Sequence, residues 1–222
     1  MTELKVTVER KAIRHMYLRI LRDKTIKVTA PRSVSESTIR RFVAERRPWI
    51  EKALQKMPDI PRYRYEEGEV HYFLGRPVRL HVEKGPEADC FISGGDAVLT
   101  LPRADADREG IIRRAWADAL AGELHFFLTR WAPLMGVSYG PVRIRHMKSR
   151  WGTCNTATGA LTFALNLSAK DPACIEYVVV HELNHRIEGP HSVRFHRLMD
   201  HWLPDWRERK KKLNESPVEF PT

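Results

Sequence analysis

Residues 171–190, DPACIEYVVVHELNHRIEGP, limit the possible fold more than any other segment. Asp171 followed by Pro172 is a helix-opening pair, an N-cap with proline at the first helical position. Gly189 and Pro190 form the matching stop signal. Between them Ile175, Val178, Val179 and Leu183 supply an apolar face, so the spacing predicts a helix from Pro172 to about Glu188. On that helix His181 and His185 are four residues apart and project from one face, one turn above the other. Two imidazoles at this separation reach a single cation at the ~2.0–2.1 Å of a Zn–N bond. Glu182 lies about 100° round from His181, close enough to touch a water on such a cation without binding the cation itself. With ten His in 222 residues, HExxH arises by accident in roughly a few per cent of such chains. Unpaired imidazoles beside an apolar face would cost ~1–3 kcal/mol each, a penalty that a shared cation removes.

A tetrahedral catalytic site takes a third protein ligand and leaves the fourth position to water. The downstream candidates are His191, His196 and His201. His191 follows the Gly189-Pro190 reversal directly and can return to the metal from the start of the next helix, which favours it. Position leaves His196 and His201 open as ligands, packed rings or surface groups.

The rest of the chain reads as α+β. Alternating runs at Lys5-Val6-Thr7-Val8, at 17–21 and at 25–30 predict half-buried strands of an antiparallel sheet. Ser33 to Ser37 offers N-caps for a helix carrying Ile39, Phe42, Val43, Trp49, Ile50 and Leu54, with a kink or restart at Pro48. A proline-containing connector spans 58–65. Strands follow at 70–74 and 78–82, and a hairpin at 90–92 and 97–101. From Asp105 to about Trp131 the period becomes helical, with Ile111, Ile112, Trp116, Leu120, Leu124 and Phe127 as the buried stripe. Strands at 142–145 and 160–165 flank a connection that contains Ser149–Cys154. A last helix runs from His191 or Ser192 to about Trp202, a short segment covers 206–213, and the tail after Asn214 reads as loose. This gives a β-rich part over 1–103 with one kinked helix, a catalytic part over 104–213 and a tail over 214–222.

Lys and Arg total 38 against 28 Asp and Glu, a formal net charge of +10, which suits acidic partners but equally a solvated basic surface. Apolar residues at 42% exclude wholesale disorder. No run approaches the ~18 apolar residues of a membrane span, so no membrane partner is expected. The charged N-terminus has no stretch of signal-peptide type, and three scattered Cys make no disulfide framework. Both points lead to a cytoplasmic expectation.

Several segments together carry a resemblance: SRWGTC (149–154), ALTFALNLS (160–168), IEYVVVHELNH (175–185), HSVRF (191–195) and WLPDW (202–206). With RKAIRHMYLRI (10–20), IKVTAP (26–31), FVAERRPWI (42–50) and GEVHYFLGRPVRL (68–80), they resemble the YgjP-like metallopeptidase family across nearly the whole chain. That family is related to the Spartan-type and WLM-type zinc peptidases. The resemblance implies a zincin-like core, one Zn²⁺ per chain held by His181, His185 and His191, and hydrolysis of peptide bonds. Two positions depart from the family pattern: Pro190 stands where Asn is usual before the third ligand, and His196 where Trp is usual after the Phe.

In the mechanism this implies, a metal-activated water attacks a carbonyl and Glu182 serves as general base. Arg150 and Trp151 are candidate substrate contacts, as is His196; Trp151 reads equally as a core plug and Arg150 as an ion-pair partner. Cys154 reads as small packing, Tyr177 as packing one turn before His181, and Trp202 and Trp206 as cover for the metal helix. The cluster Arg207, Arg209, Lys210, Lys211 and Lys212 reads first as a solvated face and second as a nucleic-acid surface. Two rival functions stand beside the peptidase: a metal-dependent nucleoside triphosphate pyrophosphatase, and a nucleic-acid-binding module with structural zinc.

Overall fold

The structure, a computed structural model, describes residues 4–21, 24–56, 63–147 and 149–215. The chain is α+β and forms two compact units, Met1–Ile60 and Pro61–Phe220. Most of the expected connector at 58–65 and most of the expected loose tail lie outside the described residues.

In the first unit β1 (Val6–Lys11), β2 (Tyr17–Ile20) and β3 (Ile26–Pro31) form a sheet of order β1-β3-β2. β3 takes the centre because its alternation is the cleanest: Ile26, Val28 and Ala30 are fully buried, whereas β1 is exposed along most of its length. This placement makes β1 parallel to β3 and corrects the expectation of a purely antiparallel sheet. Ser35 caps α1 (Glu36–Glu45) by accepting from the Thr38 N–H. The chain restarts after Arg46 as α2 (Arg47–Lys56), with Pro48 in the first turn, where its missing N–H is not needed.

The second unit begins with β4 (Val70–Phe73), β5 (Arg76–Lys84), β6 (Asp89–Ser93) and β7 (Asp96–Leu101), ordered β4-β5-β7-β6. The long helix α3 (Arg108–Leu134) opens at Asp107, whose carboxylate accepts from the Gly110 N–H. Its first turns bury Ile111, Ile112 and Trp116 against Leu80 and Leu99 of the sheet. Its later turns bury Leu120, Leu124 and Phe127 in a second core. One helix thus belongs to both cores, and the compact unit extends across the expected boundary at 103/104.

A second sheet of β8 (Val142–Arg145), β9 (Gly152–Cys154) and β10 (Leu161–Ala164) follows, in the order β8-β10-β9. β8 runs parallel to β10, and the stretch expected as a plain hairpin connection supplies the antiparallel edge strand β9. β10 stops at Ala164, and residues 165–169 turn as a 3₁₀ segment into α4 (Pro172–Asn184).

The β4–β5 turn docks onto the start of α4. The Leu74 N–H donates to the Ser168 carbonyl at 2.7 Å and the Gly75 N–H to that of Ala169 at 3.2 Å. Gly75 has φ +79°, and a Cβ there would stand 2.7 Å from the Asp171 Cα, so only glycine fits. Asp171 caps α4 by accepting from the Ala173 N–H at 2.9 Å, and its second oxygen holds Lys212 at 2.8 Å. α5 (Val193–Trp202) and α6 (Trp206–Glu215) complete the unit. Glu176 ties α4 to its neighbours by accepting from Trp131 of α3 at 2.9 Å and Arg209 of α6 at 2.6 Å. No helix among the described residues is long and apolar enough to cross a membrane.

Candidate metal centre

α4 is buried on most sides, with Ile175, Val179, Val180 and Leu183 fully enclosed. Its last turns therefore hold His181 and Glu182 on a rigid support. The helix ends at Asn184, one turn earlier than the expected Glu188. The next N–H groups tighten instead: Arg186 donates to Leu183 and Ile187 to Asn184, both at 2.9 Å. This tightening starts the reversal that carries the chain back through Gly189 and Pro190 to His191.

Ser192 then caps α5 by accepting from the Phe195 N–H, and its own hydroxyl donates to Glu188 at 3.0 Å. Asn184 Nδ2 donates to the Phe195 carbonyl at 3.1 Å, a buried tie between α4 and α5. His191 is thereby fixed opposite the α4 imidazoles.

One nitrogen from each of His181, His185 and His191 lies within 4.8 Å of the other two. The Nε2 atoms of His181 and His191 are 3.0 Å apart. Two nitrogens sharing one tetrahedral zinc stand roughly 3.3 Å apart, so these side chains fit such an ion with little adjustment. His185 Nδ1 donates to the Gly189 carbonyl at 2.8 Å, which fixes the tautomer and leaves Nε2 as a lone-pair donor. Burial, then His185 and His191, push the His181 pKa down to about 3, and burial lowers that of His191. Both rings are therefore neutral near pH 7, as metal ligands must be. Phe195, 1% exposed, forms the floor: its ring centroid is 4.8–5.0 Å from those of all three imidazoles.

Glu182 is 4% exposed, and burial pushes its pKa up to about 8 against the opposing charge of Arg150. Its carboxylate has no hydrogen-bonding side chain or backbone partner among the described residues. It lies against Gly152 of β9, where a Cβ would stand 2.6 Å from Oε1.

The three His and Glu182 line an open cleft of about 750 Å³. Arg150, Trp151 and His196 line it too, so all the anticipated site residues come together at one place. Trp151 also donates to Asn214 at 3.3 Å, with the Lys170 ammonium 5.1 Å from its ring. His196 donates through Nδ1 to the Ser192 carbonyl at 2.8 Å and stays outside the three-His cluster, as does the exposed His201. Cys154 lines the cleft, but burial and then Glu182 raise its pKa, which disfavours the thiolate. Burial and then Glu182 push the Tyr177 hydroxyl up to about 12.

The roles of Gly152 and Phe195 escape a reading of the sequence. Neither carries donor chemistry, and both act by shape across gaps in sequence.

A family model described as YgjP-like, metallopeptidase domain, matches residues 14–216. No curated protein matches the chain. Among solved structures, the zymogen of the metallopeptidase abylysin of Pyrococcus abyssi aligns at a TM-score of 0.38 and 21% identity. That alignment covers 40% of this chain and 90% of that one. The zymogen of jannalysin of Methanocaldococcus jannaschii aligns at 0.35 and 17%, covering 42% of this chain and 92% of that one.

Proposed function

The chain belongs to the YgjP-like metallopeptidase family, and from that premise we propose that it is a zinc-dependent peptidase using His181, His185 and His191 as ligands and Glu182 as general base. The observation that carries the reading is the convergence of three imidazole nitrogens within 4.8 Å beside a buried carboxyl. An all-imidazole donor set of three suits one catalytic zinc per chain, because a structural zinc site is normally closed by four protein ligands.

When bound, the cation supplies Lewis acidity, which acidifies a water and polarises a carbonyl. Glu182 accepts the water proton at a carboxylate oxygen and returns it to the leaving amine. Burial raises its proton affinity, and a cation bound beside it would offset that rise and favour the carboxylate that takes the proton. His185 holds its ring orientation through Gly189, and Phe195 keeps the three rings from collapsing together. Arg150, Trp151 and His196 line the same cleft and contact the substrate, an unfolded protein or peptide. The reading includes a cytoplasmic location, supported by the free thiols of Cys90, Cys154 and Cys174.

The test pairs zinc analysis with cleavage of casein by wild-type protein and Glu182→Gln. Wild type is expected to cleave, and the variant to keep its zinc without cleaving. Release of phosphate or pyrophosphate from nucleoside triphosphates, with casein left intact, would contradict the peptidase reading. So would cleavage by a zinc-loaded Glu182→Gln protein.

A further inference from the structure

The charges around the cleft are distributed unevenly. Along α6, Arg207 pairs with Asp200, Arg209 with Glu176 and Asp205, and Lys212 with Asp171. On the other side of the metal helix, Arg186 donates to the carbonyls of Ser138 and Thr156, and Arg194 pairs with Glu188. Two cations differ from these. Arg150, beside β9, and Lys210, on α6, are exposed, line the cleft and stand in no ion pair among the described residues; the carboxyl on which the charge of Arg150 acts is the buried Glu182. Lys210 has its ammonium 5.7 Å from the Trp206 ring centroid. Glu182 is the single acidic residue among those described that line the cleft, and it is withdrawn beneath β9.

A cleft edged by one sign of charge focuses its field on an incoming group of the opposite sign. Nucleic acid is the less suitable polyanion. A phosphate backbone is followed by a continuous row of cations, whereas three of the five cations of 207–212 are paired with carboxylates, and of the other two, Lys210 and Lys211, only Lys210 lines the cleft.

We propose that the cleft selects peptides carrying acidic side chains next to the scissile bond, with Arg150 and Lys210 as the groups that receive them. The inference rests on the peptidase reading, and the experiment separates the two. The metal-loaded Glu182→Gln protein is titrated with fluorescein-labelled, alanine-rich decapeptides whose central pair is Glu-Glu, Gln-Gln or Lys-Lys. Binding needs no turnover, so failure of casein cleavage by wild type bears on the activity and not on this selectivity. The Glu-Glu peptide is expected to bind about tenfold more tightly than Gln-Gln at low salt, with the gap narrowing as salt screens the cleft. Lys210→Gln or Arg150→Gln alone should each reduce that preference about threefold, and the pair Lys210→Glu with Arg150→Glu should favour Lys-Lys. Both side chains are exposed, and the single neutral variants stand as the test should the double reversal fold poorly. Equal affinity for Glu-Glu and Gln-Gln would overturn the proposal, as would a preference untouched by either neutral variant. Stronger displacement of the Glu-Glu probe by a ten-nucleotide oligothymidylate than by unlabelled Glu-Glu peptide would overturn it in favour of a nucleic-acid site.

Discussion

Glu182 rests against Gly152, thirty residues earlier in the chain, so closely that a Cβ on the glycine would stand 2.6 Å from Oε1 and 2.8 Å from Cγ. The edge strand β9 can approach the metal helix only because it carries no side chain there. Gly152→Ala therefore displaces the carboxylate while leaving the imidazoles in place. Peptidase activity is expected to fall by about a hundredfold or more, the scale of a lost general base, with zinc content unchanged. Parallel measurement of kcat/KM and bound zinc checks this.

Phe195 supports the three imidazoles from below. Phe195→Leu leaves a gap under the rings and lets them drift. Zinc affinity, measured by competition with a chromogenic chelator, is expected to drop about 10–100-fold, as for other groups that orient ligands. Thermal unfolding of the metal-free protein should show a loss of about 1–2 kcal/mol from the buried volume removed.

Asp171 gives a pH signature of the helix start. Lys212 above all, then the Ala173 N–H, outweigh burial and hold its carboxyl below the ordinary range. A depressed acid stabilises the fold above the unfolded pKa of ~3.9, and the contribution disappears as pH falls through the lower folded value. Asp171→Asn keeps a competent cap and loses the ion pair. Denaturant unfolding should show a small deficit at pH 7, given the exposure of Lys212, and the deficit should close as pH falls through the lowered folded value. A deficit independent of pH would point to the cap instead.

Asn184 ties α4 to α5 through the Phe195 carbonyl while fully buried. Asn184→Leu removes that donor and leaves the Phe195 carbonyl with only its helix bond, at a cost of about 0.5–1.5 kcal/mol. Because His191 and Phe195 enter with α5, the same variant should bind zinc more weakly. Unfolding and chelator competition together measure both effects.

Parts of this architecture are legible in the sequence because they are local. Asp171-Pro172 and Ser192 announce helix starts, the period of Ile111 to Phe127 marks α3, and His181 and His185 share a face by helix geometry alone. What is not legible depends on partners distant in sequence. The parallel pairings of β1 with β3 and β8 with β10 are set by which strand is most apolar, not by any turn. The three residues of β9 are too few to show alternation, so the strand reads as a connection. Helix α4 ends at Asn184 because the chain tightens toward His191, a requirement that no local residue signals. Leu165 reads as the end of a strand, yet it opens a 3₁₀ segment whose Ser168 and Ala169 carbonyls receive the β4–β5 turn.

Zinc K-edge X-ray absorption on the fully loaded protein tests the central claim most directly. The account predicts three imidazole nitrogens and a further light atom at ~2.0–2.1 Å, with one imidazole lost from the shell in His191→Ala. A sulfur scatterer near ~2.3 Å, or a coordination shell unchanged by His191→Ala, would contradict it.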